Sequence, residues 1–216
     1  MNISITLEQL LDTFEKFNLD IWPMQIIAYV LGIIAIFFII WKTKYSYRII
    51  LGVITFMWLW AGIGFLLFYS GPTYKPAYIL GALTVIQAVL FLIAVFKPLI
   101  SFGFKLNIFS VTGLLFVAYA MIGYPVIGYL LGHGYPQWLP FGLVPCPVTV
   151  FTFGLLLMTD KKVPVLFLII PLLLALSGAM PVSIGIFEDI GLIIAGIMGT
   201  VMIIYRDKKQ LYHKTN

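Results

Sequence analysis

The residue types best suited to chemistry lie close together in one stretch of the chain, residues 132–154. It holds one of the two histidines, His133, and the only cysteine, Cys146, together with Thr149, Thr152 and four prolines. A thiol at the start of a helix can be reactive, and an imidazole can relay protons or bind a ligand. We therefore expect any functional site to lie against this stretch, with simple packing of Cys146 and the threonines as the alternative.

Two adjacent acids, Glu188 and Asp189, begin the last apolar run of the chain. One acid suffices to complement the start of a helix, so we expect the other to point inward, toward His133. The predicted binding residues are His133, Tyr135, Cys146, Thr149, Thr152, Glu188 and Asp189. Their spacing matches no metal site, so neither a metal nor a cofactor is predicted, and no residue is assigned as catalytic.

The composition indicates which elements position these residues. Hydrophobic residues make up 62% of the 216 residues and charged residues 10%, against about 25% charged in soluble domains. We predict an all-α, polytopic membrane helix bundle that forms a single domain over residues 1–216, with the lipid bilayer as its main partner. The basic residues are dispersed, which argues against a nucleic-acid partner, and oligomerisation is left open.

The apolar runs predict about seven transmembrane helices, at residues 22–41, 47–69, 77–96, 108–131, 142–159, 163–181 and 187–205. Before them, residues 1–20 contain an amphipathic helix, at 4–17, expected to lie on the membrane surface or to fold over the mouth of the bundle. With the N-terminus outside, all of the 13 basic residues except Lys16 and Lys75 fall inside. The positive-inside rule therefore predicts an outer N-terminus and a cytoplasmic C-terminal tail, residues 206–216.

The fifth span is predicted to be broken or re-entrant. A helix from Pro147 to Thr159 would be about 20 Å long, short of a hydrocarbon core of about 30 Å, and Pro136, Pro140 and Pro145 interrupt the residues before it. Irregular backbone at membrane depth must be sheltered by protein or line a cavity. We expect an outward-facing site between spans four, five and seven, where free N–H groups of span five could bind an anion, a carboxylate or a polar headgroup.

Three segments of the chain resemble a known family. They are residues 18–25 (Asn-Leu-Asp-Ile-Trp-Pro-Met-Gln), residues 132–156 with their Pro-Cys-Pro-Val-Thr-Val-Phe-Thr core, and residues 188–192 (Glu-Asp-Ile-Gly-Leu). In these segments the chain resembles the bacterial integral membrane proteins of unknown function grouped as DUF6064. The resemblance covers the whole chain and implies a multi-pass protein of the bacterial inner membrane, but it implies no activity.

Three functions are compatible with the sequence. We favour a small-solute transporter or a permeation or binding protein, with a small-molecule or lipid ligand held at the broken fifth span. One alternative is a membrane-embedded enzyme that acts at the outer face through Cys146 or His133. The other is an accessory subunit without chemistry. Because the sequence contains no recognisable nucleotide or cofactor motif, an enzyme is not the favoured interpretation.

Overall fold

The computed structural model describes residues 5–215, with side chains for residues 5–209. Within this part of the chain there are eight helices and no strand, apart from an isolated antiparallel bridge between Phe102 and Thr159. The helices are α1 Leu7–Asp20, α2 Met24–Ile40, α3 Ser46–Thr73, α4 Pro76–Phe96, α5 Ile108–Leu130, α6 Pro145–Leu157, α7 Leu166–Ser183 and α8 Asp189–Thr215. The predicted all-α fold is confirmed.

Several of these helices have the length and composition of membrane spans. Among the described residues, α3, α4, α5, α7 and α8 each meet both conditions. Helices α1 and α2 meet them only as a pair, and the pair is bent by 85°. Helix α6 is apolar but has only 13 residues. Each of the seven predicted spans thus contains a helix, while the number of membrane crossings and their orientation stay predictions.

Helix α1 folds over one end of the bundle, which is one of its two predicted placements. Thr6 and Gln9 form a capping box in which each side chain accepts the backbone N–H of the other residue, and this fixes where the helix begins. On the apolar face, the ring of Phe14 stacks on Phe65 of α3 at 5.3 Å, and Phe17 packs edge-on against the same ring at 5.1 Å. The first four residues of the predicted N-terminal segment lie outside the described residues.

The short helix α6 is the centre of the bundle. All its residues from Pro147 to Leu157 are buried, and it packs against α3, α5, α7 and α8. Gly154 and Gly113 bring α6 close to α5, since a Cβ on Gly154 would lie 2.7 Å from the Gly113 carbonyl oxygen. Small residues allow helix backbones to approach in this way. The sequence predicted a short helix here, but not that it would be surrounded by protein on every side.

The segment before α6 is not helical, as predicted. Residues 131–144 form turns, with Gly132 and Gly142 at φ of 93° and 75°, a region that favours glycine. The side chain of the buried Asn18 holds this segment, because its Nδ2 donates to the carbonyl oxygens of Pro136 at 2.7 Å and Trp138 at 2.9 Å. These bonds satisfy backbone groups that a helix would otherwise pair internally.

The opposite end of α6 is closed by Arg206. The Nη1 group of this buried side chain donates to the carbonyl oxygens of Leu156 at 3.1 Å and Leu157 at 3.0 Å. Its Nε donates to Asp207, whose other oxygen accepts the N–H of Val163 at 2.8 Å. A cation suits the C-terminal end of a helix, where carbonyls lack partners. Helix α8 continues to Thr215, past residue 205, where the last span is predicted to end. Arg206 and Asp207 make these contacts from the first turn of that extension.

Candidate functional site

A cavity of about 440 Å³ lies beneath α1 at the proline-rich end of α6. Residues of α1, α3, α4, α6, α7 and α8 line it, together with Leu139 and Val144 of the irregular segment, and most of them are apolar. The small polar or acidic side chains on its wall are Ser70, Cys146, Thr149, Ser177 and Asp189. Helix α5, the predicted fourth span, contributes none of the lining residues.

The cavity has a rim of exposed apolar side chains between α4 and α7. Ile79 of α4 is 69% exposed and Leu176 of α7 is 46% exposed, and both also line the cavity. On the side of α1, Leu10 and Phe14 form a roof and are almost fully buried. The cavity is therefore reached past an apolar edge rather than through a charged mouth.

The polar end of the cavity is organised by Asp189, in the first turn of α8. Its carboxylate is fully buried and accepts two hydrogen bonds, from the Tyr124 hydroxyl at 3.0 Å and from the Cys146 thiol at 3.2 Å. Among the described side chains, no Lys, Arg or His lies within ion-pair distance of it. A buried carboxyl group with two donors and no cation beside it is costly to ionise, so a cation placed next to it would stabilise its charged form.

Thr149 adds a second incomplete group to the same wall. Its hydroxyl is buried and has no hydrogen-bond partner in the described part of the protein. One turn further along α6, the Thr152 hydroxyl accepts the indole N–H of Trp58 at 2.9 Å and donates to the Val148 carbonyl at 2.7 Å. The Thr149 hydroxyl therefore faces the cavity and can still donate and accept hydrogen bonds. The Thr152 hydroxyl already donates one and accepts one, which links α6 to α3, and Thr152 does not line the cavity.

Glu188 and His133 form a separate pair. The Glu188 Oε1 lies 3.4 Å from His133 Nδ1, and both side chains are buried. The backbone carbonyl of Glu188 accepts the Tyr119 hydroxyl at 2.7 Å. The structure thus places an inward acid against His133, as predicted from the adjacent carboxylates. Neither residue of this pair lines the cavity.

Two further sequence predictions for the site concern Tyr135 and the N–H groups at the start of α6. Tyr135 is 52% exposed and packs its ring edge-on against Trp138, away from the cavity. At the start of α6, where free N–H groups are predicted, the helix begins at Pro145 and also has Pro147 in its first turn. Proline has no N–H, so only Cys146 offers one among these three positions.

Two contributors to the site were not singled out from the sequence. Tyr124 lies directly after a π-helical stretch of α5, Tyr119–Gly123, and a second π-helical stretch, Trp60–Ser70 in α3, supplies part of the cavity wall. Such stretches are common at functional sites because they reorient side chains. A tyrosine next to a proline inside an apolar run, Tyr124–Pro125, was the available signal.

The fold and cavity define an all-helical protein with several long apolar helices arranged around a short central one. The chain belongs to the family of unknown function DUF6064, whose profile matches residues 7–214, and this confirms the resemblance seen in the sequence. Comparison with curated proteins gives no match, and comparison with solved structures gives none either. The function must therefore be argued from the cavity itself.

Proposed function

We propose that this protein is a multi-pass integral membrane protein that binds a small amphipathic cation, an apolar body carrying an ammonium group, in the cavity beneath α1. The observation that carries this proposal is the fully buried Asp189 carboxylate, which lines a mostly apolar cavity and has no cationic partner among the described side chains. An ammonium group would supply the missing charge. It would also donate to the unpartnered hydroxyl of Thr149 on the same wall.

The apolar remainder of the cavity favours a hydrophobic ligand body. A volume of about 440 Å³ is that of a typical small-molecule pocket. The rim at Ile79 and Leu176 belongs to two helices with the composition of membrane spans. An amphipathic ligand that partitions into the bilayer would reach the cavity between these helices, with its charged group directed toward the end of the bundle.

The proposed topology has seven spans in the bacterial inner membrane, with the N-terminus outside. The segments around 71–76, 131–144 and 184–188 border the cavity end of the bundle, and together with α1 they contain only two Lys or Arg residues, Lys16 and Lys75. Lys105, Arg206 and Lys209 lie together at the other end. This charge difference supports a cytoplasmic location for that end. The cavity then belongs to the outer half of the protein.

We further propose that the protein transports the bound cation or lets it permeate. The central helix does not continue through the irregular segment, so the backbone is interrupted next to the cavity, an arrangement that transporters use at their substrate sites.

The enzyme alternative is less well supported. The Cys146 thiol donates to a carboxylate, and a neighbouring negative charge opposes formation of the thiolate that a nucleophile requires.

Binding of n-decylamine to the protein in nanodiscs tests the proposal. We expect saturable binding of the amine. The analogues n-decanol and n-decanoate should compete with it only weakly, because neither supplies a cation to Asp189. Asp189→Asn should weaken the binding by about tenfold or more, the range for a charge-assisted hydrogen bond. Thr149→Val should weaken it by a smaller factor, whereas Thr55→Val is the matched control. Thr55 is a buried threonine on α3 that bonds only its own helix, to Leu51 at 2.7 Å.

Equal affinity for decylamine and decanol, or unchanged binding by Asp189→Asn, would contradict the proposed cation site. Transport is tested separately by uptake of the same amine into proteoliposomes, compared with protein-free liposomes. Uptake that neither Thr149→Val nor Cys146→Ala changes would count against a carrier function that uses this cavity.

A further inference from the structure

A second cleft lies at the other end of the bundle, away from the cavity beneath α1. Its volume is about 570 Å³, and it is bordered by the start of α5, the chain after α6 and the last turns of α8. The polar and charged side chains that line it are Lys105, Asn107, Ser110, Thr159, Asp160, Arg206 and Lys209. We propose that this cleft binds the phosphate group of an anionic phospholipid.

Among the described side chains, the charges around the cleft leave two lysines without a counter-charge. Asp160 pairs with Lys42, and Asp207 pairs with Arg206 at 2.8 Å. Lys105 and Lys209 make no ion pair with any described side chain, although both line the cleft. The cleft therefore has a net positive charge that an anion would neutralise.

The start of α5 contributes further positive potential. Helix α5 begins at the cleft, with Asn107 as its N-cap residue, whose side chain accepts the N–H of Ser110 at 3.0 Å. A helix N-terminus attracts phosphate because its first N–H groups point outward along the axis. The first part of this helix, Ile108–Ala118, is a regular α-helix of 11 residues, so its dipole acts at this end.

The surroundings of the cleft favour a lipid over a soluble phosphate. Leu106 and Ile108 flank the lining residues Lys105 and Asn107, and they are 87% and 67% exposed. Further along the same helix, Val111 and Leu115 are also exposed. Acyl chains can follow this apolar surface while the headgroup occupies the cleft. Basic pockets between membrane helices recognise anionic headgroups in this way.

Lipid retention measured by native mass spectrometry tests the inference. The delipidated protein is titrated with phosphatidylglycerol, with zwitterionic phosphatidylcholine, and in a separate arm with soluble sn-glycerol 3-phosphate. We expect preferential binding of phosphatidylglycerol. The double variant Lys105→Gln/Lys209→Gln should lose about tenfold or more in affinity, from the known contribution of each lysine near an anionic surface.

The matched control is Lys44→Gln/Lys97→Gln, which removes the same charge from exposed lysines on the same predicted side of the membrane but outside the cleft. It should leave phosphatidylglycerol binding unchanged. An equal loss in both double variants would overturn the site, since the effect would then be one of overall charge. Equal retention of phosphatidylcholine would also overturn it, and binding of glycerol phosphate as tight as that of the lipid would overturn the assignment to a phospholipid. Both cleft lysines are solvent-exposed, so their replacement should leave the fold intact. An unchanged melting temperature of the lipid-free variant would verify this.

Discussion

Valine substitutions at Thr149 and Thr152 are expected to change stability in opposite directions, although both side chains are fully buried one turn apart on α6. Thr149 has an unpartnered hydroxyl on the cavity wall. Burying such a group without a hydrogen bond costs about 1–3 kcal/mol. Valine has nearly the same shape, so Thr149→Val should raise the free energy of unfolding by about 1 kcal/mol while it weakens ligand binding.

Thr152→Val should lower the free energy of unfolding by about 1–3 kcal/mol, because it leaves the buried indole N–H of Trp58 without its acceptor at 2.9 Å. Both variants can be measured by unfolding in mixed micelles with increasing denaturing detergent, followed by circular dichroism without added ligand. If Thr149→Val destabilises the protein as much as Thr152→Val, the Thr149 hydroxyl has a partner within the protein, and its assignment to the cavity is wrong.

Three further predictions concern the roof, the buried pair and the central helix. Phe14→Ala should loosen α1 and speed the alkylation of Cys146 by N-ethylmaleimide by about tenfold or more, since a local opening then costs less; an unchanged rate would mean that α1 does not cover the cavity. His133→Gln and Glu188→Gln should each destabilise the protein. In a double-mutant cycle, the double variant should be destabilised by about 0.5–3 kcal/mol less than the sum of the two single effects. Additive effects would contradict a direct pair. Gly154→Ala should lower the free energy of unfolding by about 1–3 kcal/mol, because its Cβ would lie 2.7 Å from a backbone oxygen of α5; a variant as stable as the wild type would exclude this close crossing.

The helices and the irregular segment before α6 could be predicted from the sequence because they follow from local properties. Apolar runs set the helices, and prolines set the start of α6 close to Pro147. The amphipathic face of α1 was also readable, since its buried residues repeat with the helical period. These features depend on residues near one another in the chain.

The partners of the polar residues could not be predicted, because they depend on how distant helices meet. The spacing of Thr149 and Thr152 put both on one face of a helix, but an offset of about 60° is enough to direct one into the cavity and the other onto Trp58. The sequence likewise predicted that one of the two acids would face His133, but not which one, nor that Asp189 would lie on the cavity wall. Arg206 was counted among the topology-determining charges, although it is buried against the carbonyls that end α6.

The cavity beneath α1 is proposed to hold an amphipathic cation against Asp189. A crystal structure grown from a lipidic mesophase in the presence of n-decylamine tests it most directly. We expect non-protein electron density along the cavity, with the amine nitrogen within hydrogen-bond distance of the Asp189 carboxylate and the alkyl chain directed toward the apolar rim. A cavity closed by side chains, or an amine bound elsewhere while Asp189 keeps only its bonds to Tyr124 and Cys146, would contradict the claim.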